Sequence, residues 1–548
     1  MKNLKFLSPK PLPFTFEDWI KHPFAQRIRM LCVAWATQGY GAPVTIYFFY
    51  LFKIIFYVAG WIFFCSLSNS LGDFNEIAKW WFVPEALLKF VLWSILFELL
   101  GLGCGSGPLT ARYFPPFSAP LHFARPGTVK MPLFINLPFI GSDTRNILDV
   151  LLYVSLLGFL LKALVAPMVT IQMIVPVIAL IIVLGVLDKT IFLAARSEHY
   201  LIALVCFLFA GEEIAGAKLV WMAIWWGAAA SKFTHHFPTV VGVMLSNHAV
   251  LRWDWFKKKL YKNYPTDLRP SSLTKLLAHI STVVEFTFPL LLLLGDGGAL
   301  TTLALINMFI FHVYITSSVP MGVPLEWNVV MVYGAFLLFG YNADVSVLTL
   351  HSSVLIAILF VSLLVVPIIG NLFPQWVSFL LSMRYYAGNW AYSIWLFKGN
   401  TEDKLNQHIK KASPTVMHQL ANFYDADTSQ LLFSKVIAFR AMHLHGRALQ
   451  ILVPKAVDDI ERYAWRDGEL VAGIVLGWNF GEGHLHNEQL LAAVQKRCNF
   501  QTGELRCIFV ESQPIHQQHM DWRIVDAKDG QLESGRISIK KLKELQPY

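Results

Sequence analysis

ILDVLLYVSLLGFLLKALVAPMVTIQMIVPVIALIIVLGVL, residues 147–187, decides the fold class. Its only charged residues are Asp149 and Lys162. A hydrocarbon core of about 30 Å takes about 20 apolar residues as a helix, and this stretch holds two such runs, 147–166 and 168–187. Working outward, comparable runs lie at 45–67, 83–103, 273–294, 299–318, 326–346 and 351–372. The stretch 200–233 is too long for one span and short for two, with Glu212, Glu213 and Lys218 in its middle. It reads as two short helices joined by a charged turn, which makes about ten spans.

The distribution of basic residues supports that count. Lys and Arg concentrate at Lys2–Arg29, Arg112–Arg145, Lys189–Arg196 and Arg252–Arg269, while the alternate loops hold little beyond Lys79 and Lys218. Basic loops mark the inner side, so both termini are expected in the cytoplasm. Counting 200–233 as a single span would put the Lys257 cluster outside. The composition agrees: of 548 residues 55% are hydrophobic and 15% charged, against about 25% charged in soluble domains. The 42 Phe and 18 Trp suit lipid and headgroup contact. A net charge of +9 carried in loops points to membrane orientation and excludes nucleic acid as the partner. The six cysteines form no CxxC pair, so neither a disulfide framework nor a zinc knuckle is expected. The stretch before Val44 is polar and proline-punctuated, unlike a cleavable signal.

The expected fold class is therefore a membrane all-α polytopic bundle of about ten transmembrane helices with a small cytoplasmic α+β C-terminal domain. Residues 1–44 form an N-terminal cytoplasmic or interfacial segment, 45–380 the helical domain, and 381–548 the C-terminal domain. Within the second, the Gly/Pro-rich loop 101–146 cannot be regular helix. It reads as a structured connector on the inner surface or as a lid over an opening between helices.

Ionisable residues at membrane depth are costly and face a cavity, a partner or a pathway. The densest set lies between 198 and 254, with Glu198, His199, Glu212, Glu213, Lys218, Lys232, His235, His236, Asn247 and His248. The small residues 227–231 let a neighbouring helix approach the Lys232 turn. In such a closed pocket desolvation would make Lys232 a usable base; the plainer alternative is an amine snorkelling to the headgroups. Glu285, His312, Glu326 and Asn328 lie in three further apolar runs. We expect a polar site between helices with Lys232, Glu285, His312 and Glu326 as catalytic candidates. His235, His236, Asn328, Glu212 and Glu213 are the substrate-binding candidates. A structural polar cluster tying helices together is the alternative. The histidine clusters of membrane di-iron enzymes are absent: His235–His236 stands without a third histidine at the required spacing.

Past residue 400 the chemistry changes. Residues 401–465 read as mainly helical. From Arg466 the segments ELVAGIVLGWNF, LRCIFVES, DWRIVDAKDGQ and GRISIKKL read as strands, with an Asp-Gly hairpin in AKDGQ. A helix is expected over 487–497, after the Gly481-Glu482-Gly483 turn. Two His-x-His pairs, His443/His445 and His484/His486, would each present two imidazoles on one face of a strand, as a metal site needs; surface or helix-capping roles are the plainer reading.

GCGSGPLTARYFPPF, ARPGTVKMP, WWGAAASKFTHHFP, VPLEWN, MRYYAGNW and LGWNFGEGHLHNEQL together resemble a bacterial transmembrane family defined only as a domain of unknown function, over nearly the whole chain. Residues 200–345 also resemble the horizontally arranged transmembrane domain of the vitamin K-dependent γ-carboxylases and their bacterial relatives. The shared order is a small-residue turn with lysine, a span with an acid followed by proline and leucines, then a span with Phe-His. In those enzymes a membrane lysine acts as base on a bound hydroquinone, and the resemblance matches Lys232 to it and His312 to the later histidine. It implies an enzyme-like protein acting on a lipid-soluble molecule, of quinol or fatty-acyl type; the cofactor is left unknown. Two other classes stay open: a proton-coupled transporter or lipid-handling protein, and a scaffold subunit that docks a protein partner through its C-terminal domain. The expected partners are otherwise membrane lipids and the lipid-soluble molecule.

Overall fold

A computed structural model describes residues 8–103, 118–137, 140–318, 325–377, 384–479 and 484–548. Among them, five helices are long and apolar enough to cross a bilayer: Val44–Ser66, Ile147–Val165, Ser272–Leu294, Ala299–Thr316 and Ser353–Leu372. Shorter apolar helices run over Ile171–Leu187, Phe237–Asn247 and Leu325–Tyr341. The expected ten spans are not confirmed: among the described residues five helices reach full length and the other apolar helices are shorter. The run 83–103 shows why the count differs. It folds as a helix of 16 residues, Pro84–Leu99, in which Ala86 to Leu99 are all buried. Hydrophobicity marked it as a span; the helix is shorter than that run and is enclosed by its neighbours. Lys89 satisfies its charge there by donating to the carbonyls of Phe64, Leu164 and Ala166 at 2.8, 3.1 and 3.1 Å.

The stretch 200–233 does break in two, as Ser197–Cys206 and Glu213–Ser231. Glu212 in the intervening turn accepts backbone N–H bonds from His351 and Ser352 at 3.0 Å each. It thereby satisfies orphan donors where the Ser353–Leu372 helix begins. Lys218 donates to the carbonyls of Asn342 and Val345 at 2.8 and 2.5 Å. Both charges serve helix ends. Where the Glu213–Ser231 helix crosses Leu325–Tyr341, Gly334 is required: a Cβ there would lie 2.0 Å from Trp221 Nε1.

The described parts of the 101–146 loop form a connector pinned by buried charge; residues 104–117 and 138–139 lie outside the described residues. Arg145 pairs with Asp188 at 2.7 Å and Lys130 with Asp149 at 2.7 Å, all four side chains buried. Asp149 also closes a capping box with Asn146 at the start of the Ile147–Val165 helix. The loop's other side meets the C-terminal region, where His122 contacts the Val475 carbonyl at 3.1 Å and Gln489 donates to that of Pro132 at 2.9 Å.

Seven strands are present among the described residues. β1 (Tyr261–Asn263) and β2 (Asp267–Pro270) form a small hairpin. β3 (Tyr392–Lys398), β4 (Tyr463–Asp467), β5 (Leu505–Val510), β6 (His519–Asp526) and β7 (Gly530–Ser538) form one antiparallel sheet in the order β4-β3-β5-β6-β7. The expected hairpin joins β6 to β7, with Asp526 paired to Gly530. Two readings are corrected. ELVAGIVLGWNF is not a strand: Gly468–Leu476 is a helix, capped by the Asp467 side chain on Glu469 N and ended by Gly477 at φ +92°. A short apolar run bounded by such signals fits a buried helix as well as a strand. Strand β3, buried except at Lys398, lies before residue 400, whereas strands were expected only from Arg466 onward.

The segment before Val44 is more than an interfacial tail. Its helix Phe24–Gln38 packs on Ala426–Ala441, with the Trp35 and Phe439 rings 5.5 Å apart. Lys435 donates to the Tyr40 carbonyl at 2.7 Å, and Arg27 pairs with Glu461 at 2.7 Å.

Candidate functional site

Trp225, Ala228 and Lys232 share one face of the Glu213–Ser231 helix and its C-terminal cap, at spacings i, i+3 and i+7. That face opens on a cavity of about 720 Å³. Glu285 reaches it from the Ser272–Leu294 helix, His312 from Ala299–Thr316 and Asn328 from Leu325–Gly334. Four of the nine residues expected at an intramembrane site therefore meet in one chamber.

The polar groups are arranged in two pairs. Lys232 Nζ forms an ion pair with the Glu285 carboxylate, the side chains being 8% and 5% exposed. The amine also stands 5.1 and 5.5 Å from the ring centres of Phe237 and Phe311, distances at which ring faces attract a cation. Opposite, the Trp225 indole N–H donates to His312 Nε2 at 3.1 Å, and His312 Nδ1 lies 2.8 Å from Asn328 Oδ1. With Nε2 accepting, the ring proton sits on Nδ1 and is given to Asn328. The imidazole is thereby neutral and fully engaged. It can orient a ligand or transmit a proton only if the Trp225 bond opens. The remaining wall is largely apolar, from Ile224, Val240, Met244, Leu277 and Val284 among others.

The other candidates sit elsewhere. Glu326 does not line the cavity; it is buried on another face of its helix, hydrogen-bonded to Glu98 with Arg196 and Lys53 nearby. Each helical residue turns the chain by about 100°, so Glu326 and Asn328, two residues apart, point to nearly opposite faces and cannot both face one chamber. Glu212 and Glu213 are separated from Lys232 by the whole Glu213–Ser231 helix, about 28 Å at 1.5 Å per residue. His235 is exposed and lies 3.3 Å from Lys543 Nζ. His236 is buried with Nε2 3.0 Å from Gln513 Oε1, tying the membrane helices to the C-terminal domain.

The His-x-His pairs do not lie on strands. His443 precedes the Leu444–Ala456 helix as its cap residue, with Nδ1 2.7 Å from the Phe439 carbonyl. His445 Nδ1 is 3.3 Å from the Gly388 carbonyl. His484 pairs with Glu511 at 2.9 Å, and His486 Nδ1 is 2.9 Å from Ser393 Oγ. Among the described residues no three His, Cys, Asp or Glu side chains gather as a metal would need; Glu482, flanking the second pair, lies outside them. Burial holds His443 down to about 3 and His486 to about 4. Burial alone would raise Glu511, but pairing with His484 and Arg523 holds it at about 2.

The C-terminal domain supplies a wall that motif reading missed. Trp390, Phe439, Arg440 and His443 line the same cavity as Lys232. Arg440 is itself held by Asp467 at 2.9 Å and Glu469 at 2.7 Å. The only sequence signal was Arg440 in an otherwise apolar helix face. At the other end Val250, Trp253, Ile280 and Tyr314 line the cavity and are also exposed. The cavity is therefore open to the protein surface at this end.

Comparison with curated proteins and with solved structures gives no match. A family model described as a transmembrane protein of unknown function (DUF3556) matches residues 4–548. With a full-length match and several bilayer-length helices, the chain belongs to that family of integral membrane proteins.

Proposed function

We propose that the protein binds a lipid-soluble molecule, of quinol or fatty-acyl type, in the chamber between its membrane helices and its C-terminal domain. Lys232 would act there as a proton-exchanging base coupled to Glu285. The observation that carries this reading is a buried lysine–carboxylate pair in the wall of a largely apolar cavity of about 720 Å³. Ligand pockets combine apolar walls with a few placed polar groups and span about 300–1,000 Å³. The side opening would admit a molecule dissolved in the bilayer. The polar end would then meet the ligand's hydroxyl or carbonyl while Trp225 and Asn328 hold His312 beside it. The order lysine turn, acid-proline span, Phe-His span, which resembles the γ-carboxylase transmembrane domain, supports a base role for Lys232. The basic loops support cytoplasmic termini, and the resemblance to bacterial transmembrane proteins supports a bacterial inner membrane.

Mass spectrometry of small molecules co-purifying with wild type and with Lys232→Ala tests the reading. A lipid or quinone present in wild type and absent from the variant is the expected result. Identical profiles would remove Lys232 from any site.

A second reading, proton-coupled transport, is favoured by the Glu98–Glu326 hydrogen bond. Two carboxyl groups joined in this way need a proton between them, which makes a proton-binding site. Proton uptake by vesicles carrying the protein, lost in Glu326→Gln with ligand retention intact, would favour that reading over the first.

A further inference from the structure

The cavity mouth leads directly to an unusual surface segment. Val250 and Trp253, both cavity residues, are 75% and 62% exposed, and Trp255 is 59% exposed. The Trp253 and Trp255 rings stack with centres 6.3 Å apart and planes at 19°. Lys259 Nζ lies 5.2 Å from the Trp255 ring centre, and Lys258 Nζ 5.4 Å from that of Tyr264. Arg252, Lys258, Lys259 and Lys262 are all exposed, against a single exposed acid in the segment, Asp254. Lys257 is the exception that shows the others are placed outward: it turns in and donates to the Ser246 carbonyl at 2.8 Å. The nearby acid Asp267 is already taken by Arg269 at 2.5 Å.

Position adds a second argument. Tyr47, in the first turn of the Val44–Ser66 helix, feels the charge of Arg252, and the β1–β2 hairpin leads straight into the Ser272–Leu294 helix. Two bilayer-length helices therefore begin at the level of this segment. Large exposed tryptophans belong where hydrocarbon meets headgroups, and clustered Lys and Arg beside a membrane helix attract anionic lipid.

We propose that Val250–Lys262 is a docking surface for anionic phospholipid headgroups, placed at the mouth of the cavity. Trp253 and Trp255 lie at the acyl–headgroup boundary, and Arg252, Lys258, Lys259 and Lys262 reach the phosphates. An anionic leaflet is thereby held against the opening through which a lipid-soluble ligand would pass. The surface stands on its own residues and does not require the cavity to be occupied.

The test is native mass spectrometry of the purified full-length chain titrated with phosphatidylglycerol or with phosphatidylcholine. Wild type is expected to bind phosphatidylglycerol more tightly. A basic side chain at an anionic surface contributes about fivefold in binding. Lys258→Gln, Lys259→Gln and Lys262→Gln together should therefore reduce the preference by about 25- to 125-fold, which is what two to three such charges supply. The three Lys→Arg replacements should retain it, which separates charge from misfolding. Should the triple Gln variant express poorly, each single Gln variant is expected to lower the preference in part. Equal binding of the two lipids by wild type would overturn the proposal. So would an unchanged preference in the Gln variants, or a preference removed instead by Lys275→Gln and Lys543→Gln, at two exposed lysines outside the segment. Ligand retention by Lys232→Ala is read separately, so failure of the cavity proposal leaves this result intact.

Discussion

Replacing Lys232 and Glu285 singly and together separates a functional pair from a structural one. Both side chains are nearly excluded from solvent. Removing one partner of a buried ion pair strands the other charge and costs about 3–5 kcal/mol. Replacing both by apolar residues of similar volume is often neutral or stabilising, by about 1–4 kcal/mol. We therefore expect Lys232→Met and Glu285→Leu each to lower the thermal midpoint by several degrees in detergent, while the double variant melts at or above wild type. Fluorescence-monitored unfolding reads the midpoint, and lipid extraction followed by mass spectrometry reads the bound molecule. A stable double variant that has lost the ligand would show that the pair is kept for function at a cost in stability. Single variants as stable as wild type would refute the desolvation argument, and a double variant retaining the ligand would refute the site.

Trp225→Phe keeps an aromatic side chain, though a smaller one, and removes the donor to His312 Nε2; leaving a buried acceptor unsatisfied costs about 1–3 kcal/mol, and the midpoint should fall by at least that much. Gly334→Ala would place a methyl on Trp221, and overpacking of this kind costs about 1–3 kcal/mol; the same unfolding assay checks it, with Gly340→Ala, where the nearest atom is a Leu305 methyl at 3.1 Å, as the milder comparison. In the C-terminal domain, burial holds His443 at about 3 and His486 at about 4. Because the unfolded chain takes up a proton near pH 6.5 and the folded chain does not, stability is complete above that pH and falls as pH drops toward 4. Each histidine loses about 1.4 kcal/mol per pH unit over that window. Midpoints measured from pH 8 to 5 should decline, with a shallower decline in His486→Gln; a rise on acidification would contradict the burial argument.

Much of the architecture was legible because lipid imposes a one-dimensional rule. A helix that meets hydrocarbon must be apolar over a set length, so residues 147–187, 273–294, 299–318 and 351–372 announce themselves. The same rule cannot distinguish lipid from protein as the apolar surroundings. Pro84–Leu99 is as hydrophobic as a span, yet only packing shows that it is enclosed on all sides. Polar residues inside apolar runs pointed to the wall of the cavity, since their cost demands a partner. Lys232, Glu285, His312 and Asn328 were found that way.

Which of those residues meet was decided by tertiary structure alone. Glu326 and Asn328 stand two residues apart, yet one turns toward Glu98 and the other toward His312, because helix rotation sends neighbours to different faces. Glu212 looked like part of the same cluster in sequence and is instead a helix cap at the far end of its helix. The pairing of Trp225 with His312 and the wall formed by Arg440 and His443 join segments 87 to more than 200 residues apart. Composition and periodicity act over one or two helical turns, whereas a cavity is a property of how separate helices cross, and that information resides in the packed chain.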